Sequence, residues 1–124
     1  MYGFYKKVAN FFSLVKFSHT LFALPFALIG FVLALQEPGV NFEWLLLLKI
    51  VGCMFFARNS AMGFNRYADR EIDARNPRTL SREIPSGKIS PRQAIIFVIT
   101  NVILFFLTAL SINLLSFILA FPAL

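Results

Sequence analysis

The stretch AIIFVITNVILFFLTALSINLLSFILAFPAL, residues 94–124, contains no charged side chain. As one straight helix it would extend about 46 Å at ~1.5 Å per residue, well beyond a bilayer core of ~30 Å. It therefore divides into a span ending near Leu110, a polar break around Ser111 and Asn113, and the start of another span. Two apolar blocks precede it. Residues 17–35 (FSHTLFALPFALIGFVLAL) carry no formal charge and one histidine, and residues 42–64 carry only Glu43, Lys49 and Arg58. Each is long enough to cross a bilayer as a helix. A mean hydropathy of +0.72 with 15% charged residues excludes an ordinary soluble domain. The expected fold class is an all-α integral membrane bundle. It has three complete transmembrane helices, near 17–35, 42–66 and 91–110, and the beginning of a fourth. Residues 1–124 are read as the amino-terminal part of a single longer domain, because the apolar run is still in progress at Phe121-Pro122-Ala123-Leu124.

Basic residues set the orientation, since cytoplasmic loops carry the excess of lysine and arginine. The amino-terminal arm holds Lys6, Lys7 and Lys16, whereas the connection QEPGVNFE (36–43) holds Glu37 and Glu43 and no base. The next connection holds Arg66, Arg70, Arg75, Arg78, Arg82, Lys88 and Arg92. The amino terminus and the loop at 65–90 are therefore placed in the cytoplasm of a bacterium, with the protein in its inner membrane. A net charge of +6 needs no nucleic acid to explain it, and no zinc, RNA or DNA motif is present. Cys53 is the single cysteine, so no internal disulfide forms.

Within the second loop, residues 65–74 are expected to continue the helix of the second span. Asn76-Pro77 stops it, because proline cannot extend the hydrogen-bond ladder and disfavours helix in the residue before it. Thr79 to Ile84 suit either a turn or a short amphipathic helix, and Pro85-Ser86-Gly87 is turn chemistry. Ser90-Pro91-Arg92-Gln93 opens the third span, with Ser90 at the cap, Pro91 at the first helical position and Gln93 closing a capping box.

Asn65, Asp69 and Asp73 are spaced by four, twice. On a helix each step rotates by only ~40°, so the three form one stripe about 12 Å long while Glu71 points away. Carboxylates stacked at i, i+4 repel unless a cation lies between them. Oxygen-only ligands, completed by water and phosphate, suit Mg²⁺, and the neighbouring arginines suit phosphate oxygens. The plain alternative is a solvated helix end whose acids pair locally, Asp69 with Arg66 or Asp73 with Arg70. Arg58, seven residues before Asn65 on the same face, favours the functional alternative, because an ionisable residue inside a span usually faces a bundle interior or a wet site.

NRYADREIDARNPRT (65–79), followed by REIPSGKIS (82–90), resembles the first aspartate-rich motif and loop of the UbiA superfamily of intramembrane aromatic prenyltransferases. Its pattern N-x-x-x-D-x-x-x-D is met by Asn65, Asp69 and Asp73, and KFSHTLFALPFALIG (16–30) resembles the family's first helix. The 4-hydroxybenzoate polyprenyltransferase-like branch is the most similar in flavour. The resemblance covers nearly the whole chain. It implies a bundle of nine helices around a lipid-open cavity, in which Mg²⁺ held by two aspartate-rich motifs grips a polyprenyl diphosphate. Ionisation then gives an allylic cation that an aromatic acid, 4-hydroxybenzoate or a related quinone precursor, attacks. It implies a catalytic and metal-binding role for Asn65, Asp69 and Asp73. The chain has no acid after Glu83, so the second motif is not in it, and residues 1–124 alone are expected to be inactive.

Arg58 and Arg66 are assigned to substrate, with Arg78, Arg82 and Lys88 topological residues first and phosphate ligands second. Lys16 and His19, at the entry to the first span, either anchor the interface or contact the acceptor's carboxylate. Lys49 is expected to snorkel outward. Two non-catalytic alternatives stand beside the enzyme: a basic loop that binds anionic lipid, and a divalent-cation site in an assembly or transport subunit. The D-x-x-D-G-x-x-A-R signature of CDP-alcohol phosphotransferases, another membrane class with helical aspartates, is absent.

Overall fold

The computed structural model describes residues 2–39 and 41–123. Six helices follow one another: α1 (Tyr2–Leu14), α2 (Phe17–Ala34), α3 (Trp44–Ala68), α4 (Arg70–Arg75), α5 (Pro91–Ile112) and α6 (Leu114–Ala123). Helices α3 and α5 are each long and apolar enough to cross a membrane. A third span exists if Gly3–Leu14 and Ser18–Ala34, bent by 61° at their junction, are taken as one. The chain is an all-α integral membrane fragment, as its apolar blocks require.

The basic amino-terminal arm is itself a helix, α1. Val8, Phe11 and Phe12 of α1, with Val15 just past its end, recur at helical spacing. Phe11 stacks on Phe97 of α5 with ring centroids 4.8 Å apart, and Leu14 and Val15 are fully buried. The bend falls at Lys16, whose φ of 53° and ψ of 66° lie in the left-handed region. Its N–H donates to the Ser13 carbonyl at 3.2 Å, a reversal that commonly ends helices.

The central contact is α3 against α5. Helix α3 buries Asn59, Ser60 and Gly63, and α5 buries Ala94, Val98, Asn101, Phe105 and Ala109, a stripe at spacings of three and four. Small residues let membrane helices approach closely, and polar ones link them. Asn59 Nδ2 donates to Asn101 Oδ1 at 3.2 Å, and Asn101 Nδ2 to the Phe97 carbonyl at 2.8 Å.

The expected punctuation is present. Ser90 Oγ accepts from the Gln93 N–H at 3.1 Å while Gln93 Oε1 accepts from the Ser90 N–H at 3.0 Å, with Pro91 at the first helical position. Helix α5 ends at Ile112, and Asn113 Oδ1 accepts from the Ser116 N–H at 2.7 Å, opening α6. Helix α6 folds back so that Ala120 packs against Phe105 and Ala109. Lys49 does more than snorkel: its Nζ donates to the Ser111 carbonyl at 2.9 Å, satisfying one of the open acceptors that every helix end leaves.

Candidate functional site

The helix carrying Asn65, Asp69 and Asp73 is not continuous to residue 74 as expected. It breaks at Asp69, whose φ of −90° and ψ of 3° lie in the bridge region, common among active-site residues. Helix α4 resumes at Arg70. The hydrogen bonds joining the three positions nevertheless survive: Asp69 N–H to the Asn65 carbonyl at 3.0 Å, and Asp73 N–H to the Asp69 carbonyl at 2.8 Å. The four-residue register thus crosses the break. The exposure of the three does not follow it. Asn65 and Asp69 are exposed, whereas Asp73 is buried.

Asp73 does not pair with Arg70, and the local pairing of the plain alternative is replaced by a longer one. Arg82 Nη1 donates to Asp73 Oδ1 at 3.0 Å. Arg70 instead lies over the Tyr67 ring, 4.2 Å from its centroid, and donates to the Tyr67 carbonyl at 2.8 Å. The second oxygen of Asp73, Oδ2, is buried and has no hydrogen-bond partner. Buried polar atoms are seldom left so. Glu71 is exposed.

The loop between α4 and α5 is irregular rather than a second short helix. It folds through backbone bonds such as Leu80 N–H to the Asn76 carbonyl at 2.9 Å and Ile89 N–H to the Glu83 carbonyl at 3.0 Å. Ile84 and Ile89 are buried with Leu14 of α1 and Ala94 of α5. Thr79 Oγ1 donates to the Asp73 carbonyl at 2.9 Å. Buried Glu83 accepts a hydrogen bond from Ser13 Oγ at the end of α1.

A cavity of about 470 Å³ opens between α2 and α3, lined by His19, Phe22, Ala23, Phe26 and Arg58. It brings together two of the sequence candidates. Arg58 Nε is buried without a partner, and a buried unpaired donor is costly, so it suits an oxygen-bearing ligand. Lys16 forms the bend before α2 and does not line this cavity. Arg66 is half-buried, with its own Nε unpartnered. Arg78 is exposed, and its backbone N–H donates to Asn76 Oδ1 at 2.9 Å. Arg58 precedes Asn65 by two helical turns, ~10 Å along the axis. Arg58, in the cavity wall, and Asn65, at the start of the stripe, therefore lie along one face of α3.

Among the described residues, no three His, Cys, Asp or Glu side chains converge as a metal cluster. The stripe provides two carboxylates and an amide, one carboxylate oxygen being buried and unpaired. In donor type this fits Mg²⁺, which dehydrates reluctantly and is usually held by one or two carboxylates plus substrate phosphate and water. Sequence reasoning missed Arg82 as the partner of Asp73, and it missed the Asn59–Asn101 pair. Two asparagines within apolar spans were the available signal for the latter.

Comparison with known proteins gives a consistent picture. The UbiA prenyltransferase family matches residues 23–124. The chain is 34% identical over 90 residues to 4-hydroxybenzoate octaprenyltransferase of Aeromonas salmonicida, covering 73% of this chain and 31% of that enzyme. It is 41% identical over 71 residues to protoheme IX farnesyltransferase of Caldivirga maquilingensis, covering 57% and 24%. A protoheme IX farnesyltransferase of Bdellovibrio bacteriovorus is 33% identical over 81 residues, covering 65% and 27%. The chain thus spans about a quarter to a third of these relatives' length. No solved structure matches it. The family match runs over most of the chain, from within α2 to residue 124, and on that ground the chain belongs to the UbiA prenyltransferase family.

Proposed function

We propose that the full-length parent of this chain transfers a polyprenyl group from its diphosphate to an aromatic acid, 4-hydroxybenzoate or a related quinone precursor, in ubiquinone or menaquinone biosynthesis. The observation that carries this is the shared face of α3: Arg58, whose Nε is buried without a partner in a cavity with His19, is followed two turns later by Asn65, where the acidic stripe begins. The names of the relatives, with 4-hydroxybenzoate octaprenyltransferases recurring among them, support the acceptor.

Asn65, Asp69 and Asp73 would hold Mg²⁺, which when bound supplies positive charge to a diphosphate leaving group. This chain's residues do the rest. Arg66, and Arg78 at the loop entrance, draw the diphosphate to the membrane surface by charge. The Phe22 and Phe26 side chains shape an apolar wall that excludes water from the reacting carbon. Arg58 and His19 orient the acceptor by its carboxylate, and Lys16 holds the bend that sets where α2 begins. The site would face the cytoplasm, with the amino terminus on the same side of the inner membrane, in keeping with the distribution of basic residues. The farnesyltransferase relatives support a second acceptor, a haem.

The test compares Asp69→Asn with Glu71→Gln in the full-length parent, assayed in isolated membranes for Mg²⁺-dependent prenyl transfer. Loss of one charge from the stripe should lower the rate by about 10²–10³, the usual cost of an electrostatic contact made in a transition state. Glu71→Gln should retain activity. Equal activity of the two variants refutes the proposed site, and preference for haem over 4-hydroxybenzoate selects the second acceptor.

A further inference from the structure

Asp73 differs from its two companions in being enclosed, and what encloses it is the loop that follows. Three contacts converge there. Thr79 Oγ1 donates to the Asp73 carbonyl at 2.9 Å, and Arg82 Nη1 holds Oδ1 at 3.0 Å. The next residue, Glu83, is tied to Ser13 on α1. The loop is further seated by Ile84 and Ile89 in the cluster around Leu14. Residues 82 and 83 therefore face two ways, one to the acidic stripe and one to the amino-terminal helix.

The consequence lies in the oxygen left over. A carboxylate has two oxygens and about four acceptor positions. The guanidinium makes one contact rather than the two-pronged pair it often forms, so Oδ1 is engaged and Oδ2 remains buried and open. A free aspartate could rotate to present either oxygen. Here Arg82, at 3.0 Å from Oδ1, fixes which one is presented. Partners of this kind orient a ligand and raise its competence without touching the ion.

From this geometry we infer that Arg82 and Glu83 act as a bracket of positioning residues: Arg82 aims Asp73 Oδ2 at a divalent cation, and Glu83 holds Arg82 in place through Ser13 of α1. The amino-terminal helix thereby becomes part of the cation site's support, 70 residues from the loop it steadies. This role rests on the cation-assisted function proposed above.

The experiment is a titration of the purified full-length parent, free of substrate, with Mn²⁺, read by the electron paramagnetic resonance signal of the unbound ion. Arg82→Met should weaken Mn²⁺ binding by about 10–100-fold, and Arg82→Lys, which keeps a charge near Oδ1, should recover part of it. Ser13→Ala and Glu83→Gln should each weaken binding in the same direction by a smaller factor. These two small changes also carry the test if Arg82→Met fails to fold. Unchanged or tighter Mn²⁺ binding across Ser13→Ala, Glu83→Gln and Arg82→Lys overturns the inference, because Arg82 would then compete for Asp73 rather than aim it. Asp69→Asn separates the two claims. If it loses Mn²⁺ while the bracket variants bind normally, only the bracket fails; if it binds Mn²⁺ normally, the cation site itself fails.

Discussion

Gly63 and Gly52 lie on the same face-forming helix, yet the same substitution should move stability in opposite directions. A Cβ added at Gly63 would lie 2.9 Å from Val98 Cγ2 and 3.3 Å from Phe97 Cδ1, about half an ångström short of ordinary contact with the valine. Val98 is buried between helices, so its methyl has little room to retreat and α3 must move from α5. Overpacking of this kind costs ~1–3 kcal/mol, against a gain of ~1 kcal/mol from replacing glycine in a helix. Gly63→Ala should thus destabilise by about 1 kcal/mol. At Gly52 the added atom would meet Phe56 and Thr108 at 3.8 Å, an ordinary contact, so Gly52→Ala should stabilise by up to ~1 kcal/mol. Equilibrium unfolding of the full-length parent in mixed detergent micelles measures both. Removing the obstructing methyl supplies the coupling: Val98→Ala should cost ~1 kcal/mol less in the Gly63→Ala background than alone. If Gly63→Ala is as stable as Gly52→Ala and the double variant is additive, the close approach of α3 and α5 is wrong. So then is the placement of Asn65, two residues beyond.

The remaining predictions concern helix entry and topology. Ser90→Ala removes the acceptor for the Gln93 N–H and should lower stability by ~1 kcal/mol; Ser90→Asp should restore most of it in the same unfolding measurement. Thiol labelling of intact cells at Glu37→Cys and Lys88→Cys, in a background lacking Cys53, should mark position 37 from outside and position 88 only after permeabilisation. These exposed positions stand beside Gly39 and Gly87, whose φ values of 83° and 84° make a side chain there strained. Labelling of both from one side refutes the orientation.

The sequence alone determined whatever depends on local composition and chain-neighbour chemistry. Uncharged length forced membrane helices, because a bilayer leaves no water to satisfy an open backbone. Ser90-Pro91-Arg92-Gln93 and Asn113 fixed helix ends, because a cap is made by residues within one turn. The four-residue register of Asn65, Asp69 and Asp73 was legible for the same reason. Only the tertiary structure decided which of those acids is enclosed. Asp73 is buried because a loop held by Ile84, Ile89 and Leu14 folds over it, and its partner Arg82 arrives from nine residues away across a proline-stopped turn. The Ser13–Glu83 and Asn59–Asn101 hydrogen bonds join helices and loops separated by 70 and 42 residues. No periodicity encodes such pairs, since they exist only once packing has brought distant apolar surfaces together and taken Glu83, Asn59 and Asn101 out of water.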